Sequence, residues 1–421
     1  MSRLNEPTNE ASAMQKEISA IAEQGGGRAT KVEQLIQQYC PDGVEYKKLE
    51  DCLNYEQPTK YIVKDTKYDN TYPTPVLTAG QTFILGYTNE KTGIYQASKE
   101  KPVIIFDDFT TGFHWVDFDF KVKSSAMKML RPACDDISFR YVYYAMSSIH
   151  FEPGTHTRHW ISIYSQFEIP VPPLPVQEEI VRILDNFAEL QAELQAELQK
   201  RLQQYNYYRD NLLSFEGRTD VEWKKLGDVC DIKGRIGFRG YTRQDLVEEA
   251  DGAITLSPSN IINQELNYED CSYISWAKYE ESPEIKVAVG DVIFTKTASV
   301  GKTALVKYLP KEATINPQLV VLKNIQCNPA FLAYVLKTYR FQQEVAKLQG
   351  VGSVPNISQT SLSGITIPIP PLAEQQRIVD ILDRFSTLTT DITAGLPAEI
   401  EARRKQYEYY RDQLLTFKQK A

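Results

Sequence analysis

The sequence has 421 residues and a mass of 48.1 kDa, which at ~100 to 200 residues per domain gives two or three domains with room for real hydrophobic cores. Its 42% hydrophobic and 24% charged content excludes a fibrous or wholly disordered chain, and no apolar run approaches the ~20 residues of a membrane-spanning helix. A formal net charge of −8 excludes a uniformly basic nucleic-acid binder but leaves room for local basic patches on an acidic body.

The chain opens MSRLNEPTNEASAMQKE, which is polar and lacks the apolar core of a secretory signal. Residues 1–29, with Gly25-Gly26-Gly27, are expected to be a mobile arm. The six cysteines (Cys40, Cys52, Cys134, Cys230, Cys271, Cys327) form no C-x-x-C pair, so they are expected to be reduced thiols of a cytoplasmic protein rather than a disulfide framework or a zinc site.

Internal repeats organise everything that follows. VEYKKL at Val44 returns as VEWKKL at Val221, an offset of 177. IPVPPLPVQEEIVRILDNFAEL, from Ile169 to Leu190, returns from Ile367 to Leu388 with 13 identities in 22 and an offset of 198. QYNYYRDNLLSF from Gln204 returns from Gln406 with 9 identities in 12 and an offset of 202. The second copy therefore carries 21 extra residues between its first two markers and four extra between the second and third.

The boundaries that follow are 1–43 as an amino-terminal arm and helix tail, 44–173 as a first globular domain, 174–220 as a central long helix, 221–371 as a second domain and 372–421 as a carboxy-terminal long helix. Each domain mixes short β-rich runs (VIIF, DVIFT, QLVVL) with a helical candidate, FRYVYYAM from Phe139 and FLAYVLKTYRFQQEVAKL from Phe331. In the central helix an apolar stripe runs through Ile180, Leu184, Phe187, Leu194, Leu202, Tyr205 and Leu212. The same stripe passes through Ile378, Phe385, Ile400, Tyr407 and Leu414 in the second copy, with an interruption expected at Gly395-Leu396-Pro397. The IPxPPL prolines hold an extended entry, after which Pro175 or Leu372 opens a first turn carrying Glu178 or Glu374. At offset 177 Leu35-Ile36 falls on Leu212-Leu213, so the order is helix tail, domain, helix, domain, helix. That predicts an α+β fold in which two mixed domains are separated by two long antiparallel helices forming a coiled coil, in a circular arrangement with pseudo-twofold symmetry.

Catalytic signatures fail one by one. Pro41-Asp42 with Glu45-Tyr46-Lys47 imitates a nuclease motif, but two intervening residues cannot build the strand pair that such carboxylates need. Ser299 to Thr303 reads SVGKT, yet a phosphate loop requires glycine where Lys296 stands. Asn316-Pro317-Gln318 falls short of a methyltransferase motif, and His156 and His159 lack further metal ligands. No catalytic and no metal residue is assigned. Three windows contain basic residues and no acid: Lys121–Arg131, Lys233–Arg243 and Lys296–Lys311.

The alternation of two dissimilar domains with two near-identical helices, the IPxPPLxxQ entry and the QYxYYRD-x-LL-[ST]-F helix end resemble the specificity (S) subunit of type I restriction-modification systems, over about residues 30–421. The resemblance implies that each domain is a target recognition domain reading one half of a bipartite, asymmetric site in double-stranded DNA. It implies that the helices set the gap and dock two modification (M) subunits, which bring S-adenosylmethionine. Restriction (R) subunits would bring ATP and Mg-dependent translocation, and this chain would bind no cofactor itself. Residues 1–29 depart from the pattern. The DNA-facing residues expected in the first domain are Lys121, Lys123, Ser124, Ser125, Lys128 and Arg131, with Thr155, Arg158 and His159 in the loop Gly154–Trp160. In the second they are Arg235, Arg239, Lys296, Ser299 and Lys302, with Ser353 and Asn356 in the loop Gly352–Asn356. Tyr205, Tyr207, Tyr208, Tyr407, Tyr409 and Tyr410 are read either as helix-pair core with solvated edges or as a contact surface for the M subunits. Two competing readings are a coiled-coil scaffold without DNA recognition and a self-sufficient methyltransferase.

Overall fold

The structure, a computed structural model, describes residues 30–80, 82–154, 157–235, 237, 240–350, 352, 354–390 and 395–420. The chain packs as two units, one running up to Ala192 and resuming at Ala402, the other Glu193–Glu401. Each unit is built on the same α+β plan.

In the first unit a four-stranded antiparallel sheet has the order Leu53–Glu56, Met127–Pro132, Val103–Asp107, Phe113–Val116. Successive side chains of a strand point to opposite faces, and both faces are covered here. Ile104, Phe106 and Leu130 pack on the helix Phe139–Ser147 and the long helices. Val103, Ile105, Met127 and Met129 pack on a smaller sheet made of Ile84–Thr88, Thr74–Leu77 and Lys121–Val122. Two-sided burial explains why VIIF is a continuous apolar run and not an alternating one.

The second unit repeats this plan with Asp231–Gly234, Leu319–Lys323, Val292–Thr295 and Thr303–Leu305. Val292, Phe294, Val320 and Leu322 face the helices, while Ile293, Leu319 and Val321 face a smaller four-stranded sheet. Part of the extra length of this copy is the hairpin Ile261–Ile262 and Glu265–Leu266, inserted between Gly252–Leu256 and Ser272–Ser275. Asn263 and Gln264 at its tip both have positive φ, the geometry that a two-residue hairpin connection demands. In the first domain the described residues between Leu77 and Ile84 form no such hairpin.

The repeated markers are hydrogen-bonding partners of one another. Glu45–Lys48 pairs antiparallel with Glu168–Val171, and Glu222–Lys225 pairs in the same way with Thr366–Ile369. Each domain is thus closed by its own entry and exit strands. The glutamine of IPxPPLxxQ then locks the exit. Gln177 donates to the Pro172 carbonyl at 2.6 Å and accepts from the Ser138 N–H at 2.8 Å; Gln375 donates to Pro370 at 2.7 Å and accepts from Asn328 at 2.8 Å. Both glutamines are buried. The aspartate of ILDxF is used identically, accepting the phenolic O–H of Tyr144 at Asp185 and of Tyr334 at Asp383, each at 2.5 Å.

The central helix is continuous over Leu174–Leu212. The second long helical stretch consists of Leu372–Thr390 and Gly395–Leu414. Gly395-Leu396-Pro397, where an interruption is expected, instead opens the second of these helices: Gly395 has φ +77°, and Pro397 sits in the first helical turn, where its missing donor is no loss; residues 391–394 lie outside the described residues. The segment FLAYVLKTYRFQQEVAKL is two helices, Pro329–Leu336 and Tyr339–Leu348. Thr338 divides them, its hydroxyl accepting from the Phe341 N–H as an N-cap. One further correction concerns Leu35-Ile36. These residues lie in the helix Lys31–Tyr39 and pack on the first core, but the place of Leu212-Leu213 is taken there by Leu414-Leu415. The chain end then runs beside Val44, whose N–H donates to Lys418 and whose carbonyl accepts from Lys420. The Cβ of any residue replacing Gly43 would stand 2.5 Å from the Lys418 carbonyl.

Candidate nucleic-acid interface

Register aligns the central strand pairs of the two core sheets position by position. Phe106 lies opposite Lys128 in the first sheet and Phe294 opposite Val320 in the second. One residue beyond the end of each central strand stands Asp108 or Lys296. The Asp108 N–H donates to Ala126 at 2.9 Å and its carbonyl accepts from His159 at 2.8 Å; the Lys296 N–H donates to Gln318 at 2.8 Å and its carbonyl accepts from Ile357 at 2.9 Å. In both domains this residue therefore ties a strand-entry turn and a late loop to the same end of the sheet.

That end gathers several of the expected DNA-facing residues. Lys123, Ser124 and Ser125 are exposed on the turn before Met127–Pro132, and Arg158 is exposed next to the anchored His159. In the second domain Lys296 and Ser299 belong to the turn between Val292–Thr295 and Thr303–Leu305. Thr297 pairs with Asn356, and the Ala298 N–H donates to Pro355, so the turn and the loop before Ile357 form one surface. SVGKT accordingly closes a β-hairpin and does not lead into a helix. Lys302 is exposed, its ammonium donating to the carbonyls of Pro258 and Ile261 at 3.3 and 3.5 Å. Thr155, Arg239 and Ser353 lie outside the described residues, as do residues 1–29.

Four expectations are corrected. Lys121 is buried, ion-paired to Glu90 at 3.1 Å and donating to the carbonyls of Thr92 and Gly93. Lys128 is 0% exposed and ion-paired to Asp108 at 3.1 Å. His159 is buried against Phe151. Arg235 is buried, donating to the Ile315 carbonyl and the Thr314 hydroxyl, and burial draws its guanidinium below its ordinary pKa. A sequence window free of acids is not free of acids in space, because strand pairing and loops bring Glu90 and Asp108 to its lysines. Arg131 remains half exposed but is engaged, donating to the Tyr95 hydroxyl at 2.6 Å and to Glu56 at 3.1 Å.

The repeated tyrosines separate by burial. Tyr205 lies in the second core, where burial pushes its hydroxyl up to about 12, so it is removed from any partner surface. Tyr208 stacks on Phe385 at 6.0 Å between ring centroids, and Tyr410 on Phe187 at 5.7 Å. These are the same contact made once in each unit, the end of one long helical stretch against the start of the other, which makes each pairing antiparallel. Tyr407 is half-buried at 6.3 Å from Phe187. Tyr207 and Tyr409, at equivalent positions, remain 66% and 62% exposed.

Sequence reasoning missed Asp108, Gln177 and Gln375. The identical spacing of the glutamines in both copies was a usable signal; Asp108 had none, since its equivalent is a lysine. Among the described residues no group of three or more His, Cys, Asp or Glu side chains could hold a metal ion, and no helix is long and apolar enough to cross a membrane.

A family description, the type I restriction modification DNA specificity domain, matches residues 41–204 and 219–402. The specificity subunit of the type I restriction enzyme EcoR124I/EcoR124II from Escherichia coli is 46% identical over 393 residues, covering 89% of this chain and 94% of the relative. A putative type I restriction enzyme specificity subunit, S.HindORF215P of Haemophilus influenzae, is 29% identical over 396 residues, 89% of this chain and 96% of the relative. Among solved structures, a chain from a study of complex assembly and conformational transition of the type I R-M system superimposes with TM-score 0.55 at 17% identity, covering 89% of this chain and 98% of its own. The S subunit from M. genitalium gives TM-score 0.48 at 13% identity, over 89% and 96%.

Proposed function

We propose, from the premise that this chain belongs to the type I restriction modification DNA specificity family, that it is the non-catalytic subunit that gives such a complex its DNA sequence. Each domain reads one half of a bipartite, asymmetric site in double-stranded DNA. The observation that carries this reading is internal: two domains share one frame down to the glutamine and aspartate hydrogen bonds, yet differ at the sheet end where exposed Lys, Arg, Ser and Asn side chains collect. A shared frame with two different faces is what two independent readers of one molecule require.

Lys123, Lys296 and Lys302 are suited to phosphate contacts, and Ser124, Ser125, Arg158, Ser299 and Asn356 to base edges. Tyr207 and Tyr409, exposed at equivalent helix positions, suit docking of two M subunits, one per copy of the repeat. Those subunits supply S-adenosylmethionine for adenine N6 methylation. R subunits supply ATP- and Mg-dependent translocation and cleavage, and the assembly works in the cytoplasm. This chain supplies position and sequence only, so a contaminant-free preparation neither methylates nor cleaves DNA nor hydrolyses ATP. Single-molecule mapping of methylated adenines in host DNA with and without the gene tests the reading. One bipartite motif lost on deletion supports it; an unchanged methylation map defeats it.

A further inference from the structure

Asp108 and Lys128 form a fully buried ion pair in the first domain, and each partner holds more than the other. Asp108 is 1% exposed. One of its carboxylate oxygens accepts the Trp160 N–H at 2.8 Å and the other meets the Lys128 ammonium at 3.1 Å. Its backbone N–H reaches Ala126 and its carbonyl accepts from His159. The Lys128 ammonium also donates to Gln57 at 3.2 Å and lies over the Tyr55 ring, 5.6 Å from its centroid. Asp108 thus joins the turn carrying Lys123, Ser124 and Ser125, through its backbone N–H, to the segment carrying Arg158, through its carbonyl and its carboxylate, and the Lys128 ammonium fastens that junction to the first strand of the sheet. Trp160, 2% exposed against Phe106 and Tyr164, wedges the junction from the core side.

The second domain makes the same backbone junction without the pair. Lys296 occupies the place of Asp108 with a half-exposed side chain, and Val320 occupies that of Lys128. An acid at the lip of a DNA-reading surface would repel phosphate unless it were neutralised and withdrawn. Lys128 does both, and a lysine at 296 needs no such partner.

We infer that the Asp108–Lys128 pair is the positioning element of the first reading surface: it sets the Lys123–Ser125 turn and Arg158 in fixed relation and keeps the Asp108 charge from the DNA. The inference rests on the reading of the chain as a DNA specificity subunit. It makes Lys128 a positioning residue and not a phosphate contact.

The test uses the complex assembled with M subunits, measuring methylation of duplexes that carry the mapped site or single-base changes in either half. Lys128→Met leaves an uncompensated buried carboxylate. The double change Asp108→Asn with Lys128→Met removes both charges while Asn keeps an oxygen to accept the Trp160 N–H, and replacing a whole buried pair is far better tolerated than breaking it. Lys128→Met should lose about tenfold or more of the base discrimination in the first domain's half-site, with discrimination in the other half retained. The double variant should recover most of it. Should Lys128→Met fail to fold, the double change Asp108→Ala with Lys128→Met, equally uncharged but without an acceptor for the Trp160 N–H, should lose the first-half discrimination that the Asn version keeps, and equal discrimination by the two double variants would overturn the inference. Equal losses in both halves, no loss at all, or a folded Asn version that discriminates no better than Lys128→Met would each overturn the inference. A wild-type complex that discriminates in neither half would instead overturn the parent reading.

Discussion

The first and second recognition domains are the informative comparison, because one chain has built the same frame twice. Where each domain joins the long helices, the copies agree: Gln177 and Gln375, Asp185 and Asp383, Tyr144 and Tyr334, Phe187 and Phe385. Where the sheet ends in loops, they part. Asp108 faces inward to Lys128, whereas among the described residues Lys296 makes no ion pair, and the hairpin Ile261–Leu266 and the helix Tyr339–Leu348 have no counterparts in the first domain. The difference teaches that the closing strands and the glutamine lock make each domain an insert on a common stem, so the loops at the sheet end, proposed above as the reading surface, can change without disturbing how the domain is attached.

The largest expected effect breaks the comparison outright. Replacing residues 44–173 with the corresponding domain of another family member should change every specified base in one half of the methylated site and none in the other, as read from methylation maps. Both cut points lie outside the paired strands Glu45–Lys48 and Glu168–Val171, so the insert brings its own closure.

The next prediction exploits a length difference between the helices. Leu190–Leu198 reads LQAELQAEL, and the central copy differs from the second by four residues between the repeated markers. Four residues add roughly 6 Å and about 40° to an α-helix, a small drift for the apolar stripe. Inserting a further QAEL after Leu198 should lengthen the unspecified gap by one or two base pairs at about 3.4 Å each while both half-sites keep their bases. An active variant with an unchanged gap would separate helix length from spacing.

A smaller effect should be equal in the two copies. Gln177→Leu leaves the Ser138 N–H and Pro172 carbonyl without their partner, and Gln375→Leu does the same to Asn328 and Pro370. Each should cost about 2–4 kcal/mol, as suits one buried carbonyl and one partly buried N–H left unsatisfied. Hydrogen exchange should show protection falling in the mutated unit. A much smaller cost in one copy would mean that the lock is not shared.

The smallest prediction is a pH difference between the copies. The Arg377 guanidinium, with Arg218 beside it, holds the Glu374 carboxyl down at about 2 against an ordinary 4.5. A lowered carboxylate pKa stabilises the fold above the unfolded value, and that contribution fades as pH falls from 4.5 toward 2. Val176 stands at the equivalent place in the first copy. Glu374→Gln should lower Tm by about 2 °C or less near neutrality, as suits a surface pair, with the difference vanishing toward pH 2. A difference that grows on acidification would reverse the assignment.

Much of this protein is decided by its sequence alone. The duplication, the long apolar stripes and the proline-rich entries are local or periodic signals, and they specify the helices and the alternation of domains because helix periodicity and proline geometry act over a few residues. The split at Thr338 was also local, but an apolar run outweighed a single capping residue when the segment was read as one helix.

What only the tertiary structure decided is which charges face water. Lys121, Lys123, Lys128 and Arg131 share one short window, and all look alike there. Chain folding brings Glu90 to the first, Asp108 to the third and Glu56 to the fourth, and leaves Lys123 exposed. Likewise the first QYxYYRD copy places Tyr205 inside and Tyr207 outside at a spacing of two, according to which helix face meets the core. A buried charge needs an opposite charge in contact, and contact is set by sheet register and loop path over tens of residues, so no window of the sequence can report it.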